Sequence, residues 1–276
     1  MVSVNLAIRL ATSTVAVPVI LAILYRAPPW CFYAVLVLPA TIVCAHEFFA
    51  MTHPGDRVAR AAGVILSGAA SLSYYMRSDD LNVVTTLLVG VPLVAPIVTL
   101  ARLGCIETAA FRLFALGYGP LFVALPLTLL AVMQRTLGAV GPGAVVLALG
   151  LGWFGDTGAY FVGRSIGRHR LCESVSPMKT VEGAAGGLLA SAAWGIAGSI
   201  GYLRGALPMA HALPLAIAGG VLGQAGDLGE SLIKRSTGVK DSGVLVPGHG
   251  GMLDRVDSVI MTSIVVFLYT RWAGWR

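Results

Sequence analysis

The hydrophobic positions of this chain fall into long runs separated by short polar segments. A bilayer core about 30 Å thick needs roughly 20 apolar residues per helix, and nine runs approach or reach that length. The runs cover about 6–25, 30–51, 58–76, 81–101, 111–133, 142–163, 183–203, 212–234 and 253–273. No small-residue cleavage pattern follows the first run, so we expect a retained helix there rather than a signal peptide. The pattern predicts an all-α polytopic integral membrane helical bundle of about nine transmembrane helices.

Composition supports a lipid environment. Of the 276 residues, 57% are hydrophobic and 12% are charged, against about 25% charged residues in soluble domains. The four cysteines form no CxxC pair and indicate neither a disulfide framework nor a zinc site. We expect about five N-terminal transmembrane helices in residues 1–135. Residues 136–276 should hold the catalytic transmembrane helices and two cytoplasmic loops.

The placement of the 19 lysines and arginines predicts the topology. With the N-terminus inside, thirteen of them lie at one face and six at the other, and the excess marks the cytoplasm. The polar loops at about 164–182 and 235–252 then share the cytoplasmic side. Because the net charge of +6 lies in short loops between apolar runs, it indicates topology and not a nucleic-acid partner. We expect a multi-pass protein of the cell (inner) membrane with an active site that faces the cytoplasm.

Acidic residues within or at the ends of the apolar runs are the first candidates for chemistry. Charged residues inside membrane helices are costly and usually functional. Five acidic residues within or at the ends of apolar runs lie in the last 121 residues: Asp156, Asp227, Glu230, Asp254 and Asp257. A structural ion pair would explain any one alone. The i, i+3 spacings of Asp227 with Glu230 and of Asp254 with Asp257 place each pair on one helical face. Carboxylates without histidine or cysteine partners suit Mg²⁺ rather than zinc.

Glycines and basic residues surround these acids. The segment Pro247–Gly251 leads into a helix N-terminus, where backbone amides and the helix dipole favour phosphate. It is flanked by Lys234, Arg235, Lys240 and Arg255, and the loop at about 164–180 adds further cations. Alone, each feature is an ordinary turn or topogenic charge. Together they indicate phosphoryl or nucleotidyl transfer.

The run Ser231–Asp257 resembles the signature of the phosphatidate cytidylyltransferase family. The upstream segments Asp156–Arg164 and Ser176–Gly183 are similar to it as well, so the good match covers about 150–258. The N-terminal half resembles the family only in hydropathy. One departure is Met178, which stands where the family often has a second lysine before Lys179.

The resemblance implies a CTP-dependent nucleotidyltransferase that joins CTP to phosphatidic acid, giving CDP-diacylglycerol and pyrophosphate for phospholipid biosynthesis. It implies Mg²⁺ as the cofactor, with a second cation left open. The expected metal ligands are Asp227, Asp254, Glu230 and Asp257. The expected catalytic residues are Asp227, Asp254, Asp257, Lys240 and Arg255. The expected substrate-binding residues are Asp156, Arg164, Lys179, Ser231, Lys234, Arg235, Asp241, His249, Gly250 and Gly251.

Several alternatives stay open. A polyprenol kinase or a cytidylyltransferase for another lipid phosphate would need similar residues, and an ion-coupled transporter with an acidic midplane relay is less favoured. His46 and Glu47 begin like a zinc-protease motif, but Ala50 replaces the second histidine. Glu47 is then an intramembrane acid or half of a helix-packing pair. GxxxG spacings at Gly183/Gly187 and Gly219/Gly223 permit a homodimer, although packing within one bundle is favoured.

Overall fold

The described part of the chain is mostly helical and contains one small β-hairpin. The computed structural model describes Thr14, residues 16–243 and residues 250–275. The elements are α1 (Ala16–Arg26), α2 (Pro29–Thr52), α3 (Arg57–Met76), α4 (Leu81–Ala101), α5 (Ile106–Thr136), α6 (Gly138–Ile166), β1 (Arg170–Cys172), β2 (Ser176–Thr180), α7 (Val181–Ile200), α8 (Met209–Ser236) and α9 (Leu253–Trp272). Each predicted apolar run coincides with one of these helices, except that residues 6–13 and 15 of the first run lie outside the described residues.

The all-α membrane class predicted from hydropathy is confirmed. Among the described residues, α2, α4, α5, α6 and α7 are long and apolar enough to cross a bilayer, and α1 is a shorter apolar helix. α3, α8 and α9 fall outside that group of five. The number of helices that actually cross the membrane therefore stays a prediction.

The chain forms two compact units. Unit 1 comprises residues 1–132 and 241–254, and unit 2 comprises residues 133–240 and 255–276. The division at 135/136 that the sequence suggested, with residues 235–252 as a cytoplasmic loop, stays a prediction.

In unit 1, aromatic side chains pack directly against glycines of neighbouring helices. A Cβ at Gly63 would lie 2.5 Å from the Phe49 ring, and one at Gly119 would lie 2.5 Å from the Phe48 ring. Phe49 is fully buried. Because glycine has no side chain, helices can approach closely at these positions. In a membrane, such van der Waals contacts replace the hydrophobic effect as the main source of helix association.

Unit 2 is built on close contact between α6, α7 and α8. A Cβ at Gly183 would lie 2.8 Å from the Ala159 carbonyl oxygen, and one at Gly187 would lie 2.9 Å from that of Gly155. On α8, a Cβ at Gly219 would lie 2.8 Å from the Leu151 side chain. These GxxxG glycines therefore make contacts within the chain.

The hairpin β1–β2 is a departure from the all-helical prediction, within the loop predicted at 164–182. Its antiparallel strands pair Arg170 with Thr180. Thr180 caps α7 by accepting a hydrogen bond from Gly183 N at 3.1 Å. Glu182, in the first turn of α7, accepts hydrogen bonds from the Arg168 and His169 amides at 3.0 and 3.2 Å. The hairpin is thereby fixed to the start of α7.

Candidate active site

Three helices of unit 2 bring four carboxylates together. Asp156 lies on α6, Asp227 and Glu230 lie on α8, and Asp257 lies on α9. Asp257 is buried and within electrostatic range of the other three. The i, i+3 spacing places Asp227 and Glu230 on one face of α8, and the packing of α6 and α9 supplies the other two acids.

Ser258 links two of these acids. Its hydroxyl donates to Asp156 Oδ2 at 2.8 Å, and its backbone amide donates to Asp257 Oδ1 at 2.7 Å. Ser258 is buried. It therefore fixes the carboxylate of α6 against that of α9.

Two lysines neutralise part of the acidic cluster. Lys179 Nζ lies 2.5 Å from Asp227 Oδ2, and Lys234 Nζ donates to Glu230 Oε2 at 3.1 Å. Within the described ranges, Asp156 and Asp257 have no ion pair within 4.0 Å. Two further carboxylates in a buried site favour the approach of a cation.

A cavity of about 640 Å³ opens beside this cluster, entirely within unit 2. Its lining includes Asp156 and Asp227 and the cationic side chains of Arg164, Arg168, Arg170 and Lys179. Arg164 Nη1 donates to the Tyr160 hydroxyl at 2.7 Å. Basic groups thus face the same space as two of the acids, an arrangement that suits a polyanion bound with a metal ion.

The other predicted cations of unit 2 lie elsewhere. Arg235 Nε donates to the Val175 carbonyl in the hairpin at 3.2 Å, so the end of α8 and the hairpin lie at the same end of unit 2. Lys240 and Arg255 are exposed and are not among the residues that line the cavity. Ser231 is buried on α8.

The predicted residues of unit 1 surround the start of α9. Asp254 Oδ2 accepts hydrogen bonds from Ser242 N at 3.0 Å and Gly251 N at 2.9 Å. Gly250 has φ +81°, the left-handed region that glycine tolerates best, and a Cβ there would lie 3.0 Å from Asp254 Oδ2 and 3.9 Å from Asp241 Cβ. Asp254, Gly250, Gly251 and Asp241 therefore form one local arrangement. His249 and most of the Pro247–Gly251 loop lie outside the described residues.

The magnesium ligand set divides between the units. Asp254 belongs to unit 1, whereas Asp227, Glu230 and Asp257 belong to unit 2. In the part of the chain that the structure describes, no three histidine, cysteine or acidic side chains converge as a metal-binding group. The clustered carboxylate oxygens have the donor chemistry that Mg²⁺ prefers. Magnesium binding stays a prediction.

Sequence reasoning missed several side chains. Tyr160 and Gln224 line the cavity, and neither was among the predicted site residues. Arg168 and Arg170 line it as well, and the sequence indicated them only through the charge of the loop at about 164–180. The positions of Tyr160 and Gln224 depend on helix packing, so no local pattern marks them. Glu47 was noticed as an acid in an apolar run, but its partners lie about 200 residues away in the sequence.

Comparison with known proteins places this arrangement in a family. A family model described as "Cytidylyltransferase family" matches residues 7–273. The chain belongs to the cytidylyltransferase family. The match extends the resemblance of the C-terminal signature over the N-terminal helices, where hydropathy was the only indication.

The chain is also similar to individual proteins named as phosphatidate cytidylyltransferases. A phosphatidate cytidylyltransferase from Bacillus subtilis is 46% identical over 119 residues, covering 42% of this chain and 42% of that protein. One from Synechocystis is 43% identical over 124 residues, covering 45% of this chain and 42% of that protein. Phosphatidate cytidylyltransferase 5, chloroplastic, from Arabidopsis thaliana is 34% identical over 278 residues, covering 89% of this chain and 67% of that protein. The matches thus span less than half the length of the first two relatives.

Proposed function

We propose that the chain transfers the cytidylyl group of CTP to phosphatidic acid, giving CDP-diacylglycerol and pyrophosphate. The observation that carries the proposal is the cavity of unit 2, where Lys179 and Arg164 face the same space as Asp156 and Asp227. The names of the relatives support the choice of substrates.

The reaction needs charge compensation more than a base. An oxygen of the lipid phosphate attacks the α-phosphorus of CTP, and the bond from that phosphorus to the bridging β-phosphate oxygen breaks, releasing pyrophosphate. The attacking oxygen is already ionised near neutral pH, so no side chain has to remove a proton. CTP carries about four negative charges and phosphatidate nearly two, so their approach is unfavourable without cations.

The basic side chains have separate tasks in this proposal. Arg164 and Lys179 hold phosphates in the cavity, and charge-assisted hydrogen bonds fix their orientation. Lys240 and Arg255, whose side chains are exposed, are proposed to complete the contacts to the substrate phosphates. Holding both substrates in line supplies a large part of the rate acceleration in phosphoryl-type transfer.

Asp227, Glu230 and Asp257 of unit 2 are the residues proposed to hold Mg²⁺, and Asp254 of unit 1 stays a ligand predicted from the sequence. Bound there, the ion would neutralise charge on the α-phosphate and the leaving pyrophosphate. The acids also orient the side chains of Lys179 and Lys234 through ion pairs.

The proposed location is the cell membrane, with the cavity facing the cytoplasm. The excess of basic residues on the loop side supports that orientation. It also suits the substrates, since the lipid stays in the leaflet while CTP arrives from the cytosol.

Labelled CTP tests the reaction and its closest alternatives. The purified protein in lipid nanodiscs is given Mg²⁺ and CTP labelled at either the α- or the γ-phosphate, with phosphatidate, a polyprenyl phosphate or a polyprenol. We expect α-label in the lipid product, one pyrophosphate per product, and phosphatidate as the preferred acceptor. Transfer of γ-label to polyprenol would instead identify a kinase.

A matched pair of variants serves as the control. Asp227→Asn should abolish most transfer, whereas Asp79→Asn, between α3 and α4, should retain it. A folded wild-type protein that transfers neither label, and that moves ions across vesicles, would replace the enzyme with the transporter alternative.

A further inference from the structure

Glu47 is a buried acid of α2 that lies outside the family signature. It is 5% exposed. Its carboxylate accepts three hydrogen bonds, from Ser242 Oγ at 3.2 Å, Met252 N at 3.0 Å and Leu253 N at 2.8 Å. All of these atoms belong to unit 1.

These donors stand at the two ends of one segment. Ser242 precedes the signature glycines and Met252 follows them, while Leu253 is the first residue of α9. A single carboxylate therefore ties both ends together and caps the start of α9 from a distant part of the sequence. A negative charge at that position also interacts favourably with the helix dipole.

Two glycines leave room for the Glu47 carboxylate. A Cβ at Gly243 would lie 2.5 Å from Glu47 Oε1, and one at Gly251 would lie 2.6 Å from Glu47 Oε2 and collide with Ser242 Oγ. Glycine at both positions lets the backbone reach the carboxylate. The contact is thus specified by the loop as well as by α2.

The same segment carries Asp254. Its Oδ2 atom accepts hydrogen bonds from the backbone amide of Ser242, whose hydroxyl contacts Glu47, and from the amide of Gly251, which precedes Met252. Glu47 and Asp254 therefore bind neighbouring groups of the same segment. Loss of the first would release the amides that orient the second.

We propose that Glu47 is a positioning residue that holds Ser242, Met252 and Leu253 in place, so that Asp254 keeps the orientation fixed by its hydrogen bonds from Ser242 N and Gly251 N. Its role in turnover rests on the proposed cytidylyl transfer, but its structural role does not. Glu47 acts through Asp254 and touches no reacting atom.

Hydrogen exchange measures the structural part directly. In the purified full chain, the amides of Met252 and Leu253 should exchange at least about tenfold faster in Glu47→Gln, because hydrogen bonds to a charged acceptor are lost. The amide group of glutamine cannot replace the carboxylate, since its NH₂ would face backbone donors. Glu107→Gln, at an exposed acid of the same unit, is the matched control and should leave this exchange unchanged. Wild-type exchange rates in Glu47→Gln would overturn the proposal.

Kinetics measure the consequence for the site. Glu47→Gln should lower kcat by about tenfold or more and raise the Mg²⁺ concentration needed for half-maximal rate, while Glu47→Asp recovers part of both. A purely stabilising contact would lower the melting temperature without moving the Mg²⁺ requirement. Faster exchange with unchanged kcat and Mg²⁺ dependence would therefore overturn the positioning role.

A second variant keeps the test decisive if Glu47→Gln fails to fold. Gly251→Ala places a methyl group against the Glu47 carboxylate and so displaces the segment from it. This variant should give the same faster exchange at the amides of Met252 and Leu253. Unchanged exchange there would count against the proposal. If the wild-type protein makes no CDP-lipid but the exchange difference is present, the proposed function fails and the anchoring by Glu47 stands.

Discussion

Lys179 Nζ lies 2.5 Å from Asp227 Oδ2 at the edge of the cavity in unit 2. This pair joins a residue predicted to bind phosphate to one predicted to bind metal. The ion pair therefore holds the two side chains together at the edge of the cavity.

We expect Lys179→Met to lower kcat/KM for CTP or lipid by about tenfold or more, because a charge-assisted contact is worth about 1.5–3 kcal/mol. Asp227→Asn should be worse. The double variant should cost less than the sum of the two, since each single change leaves one charge without its partner. Strict additivity in a double-mutant cycle would show that the two side chains act independently.

Asp254→Asn should keep the fold and lose most turnover. The isosteric amide retains an oxygen at the helix start but removes the negative charge proposed to hold Mg²⁺. Initial rates at increasing Mg²⁺ concentration measure the effect, with Asp79→Asn as the control. A correctly inserted Asp254→Asn protein with a near wild-type rate at saturating Mg²⁺ would contradict the assignment.

Two exposed cations of unit 2, Lys240 and Arg255, test phosphate binding against topogenic charge. Lys240→Ala and Arg255→Ala should each lower kcat/KM for CTP or lipid by about tenfold or more. Gly250→Val should be more harmful, because φ is +81° at Gly250 and a Cβ would lie 3.0 Å from Asp254 Oδ2. Unchanged kinetics in all three inserted variants would leave the charges with a topogenic role only.

Cysteine labelling tests the orientation in the membrane. The four native cysteines at positions 31, 44, 105 and 172 form no disulfide, so they can be replaced before a single cysteine is introduced at position 240. A membrane-impermeant reagent should label it from the cytoplasmic side, because basic residues concentrate on that face. Labelling only from the opposite side would invert the topology and contradict the proposed entry of CTP.

His53 predicts how stability depends on pH. Burial, assisted by the nearby Arg112 guanidinium, lowers the pKa of His53 to about 4, against the opposing effect of Asp56. The unfolded chain then binds a proton that the folded protein does not, so stability should fall as pH drops from about 6.5 towards 4. The apparent melting temperature in detergent should decline less over this range in His53→Gln. Equal declines in both proteins would show that other groups dominate.

Hydropathy determined the positions of the helices. A segment that spans a membrane must satisfy its backbone hydrogen bonds internally, and a helix does so. An apolar run of sufficient length therefore determines from the local sequence alone where a helix forms. The acids of unit 2 were also found from sequence, because a charge in an apolar run is conspicuous and the i, i+3 spacing of Asp227 and Glu230 fixes their common face.

Only the tertiary structure decided which distant groups meet. The pairing of Lys179 with Asp227 depends on how the hairpin β1–β2 packs against α7, and a short polar loop carries no periodic signal for such a hairpin. Likewise, Glu47 finds its donors in Ser242, Met252 and Leu253 through helix packing. A hydrogen bond between residues about 200 positions apart leaves no spacing in the sequence, because its geometry is set by which helices lie side by side.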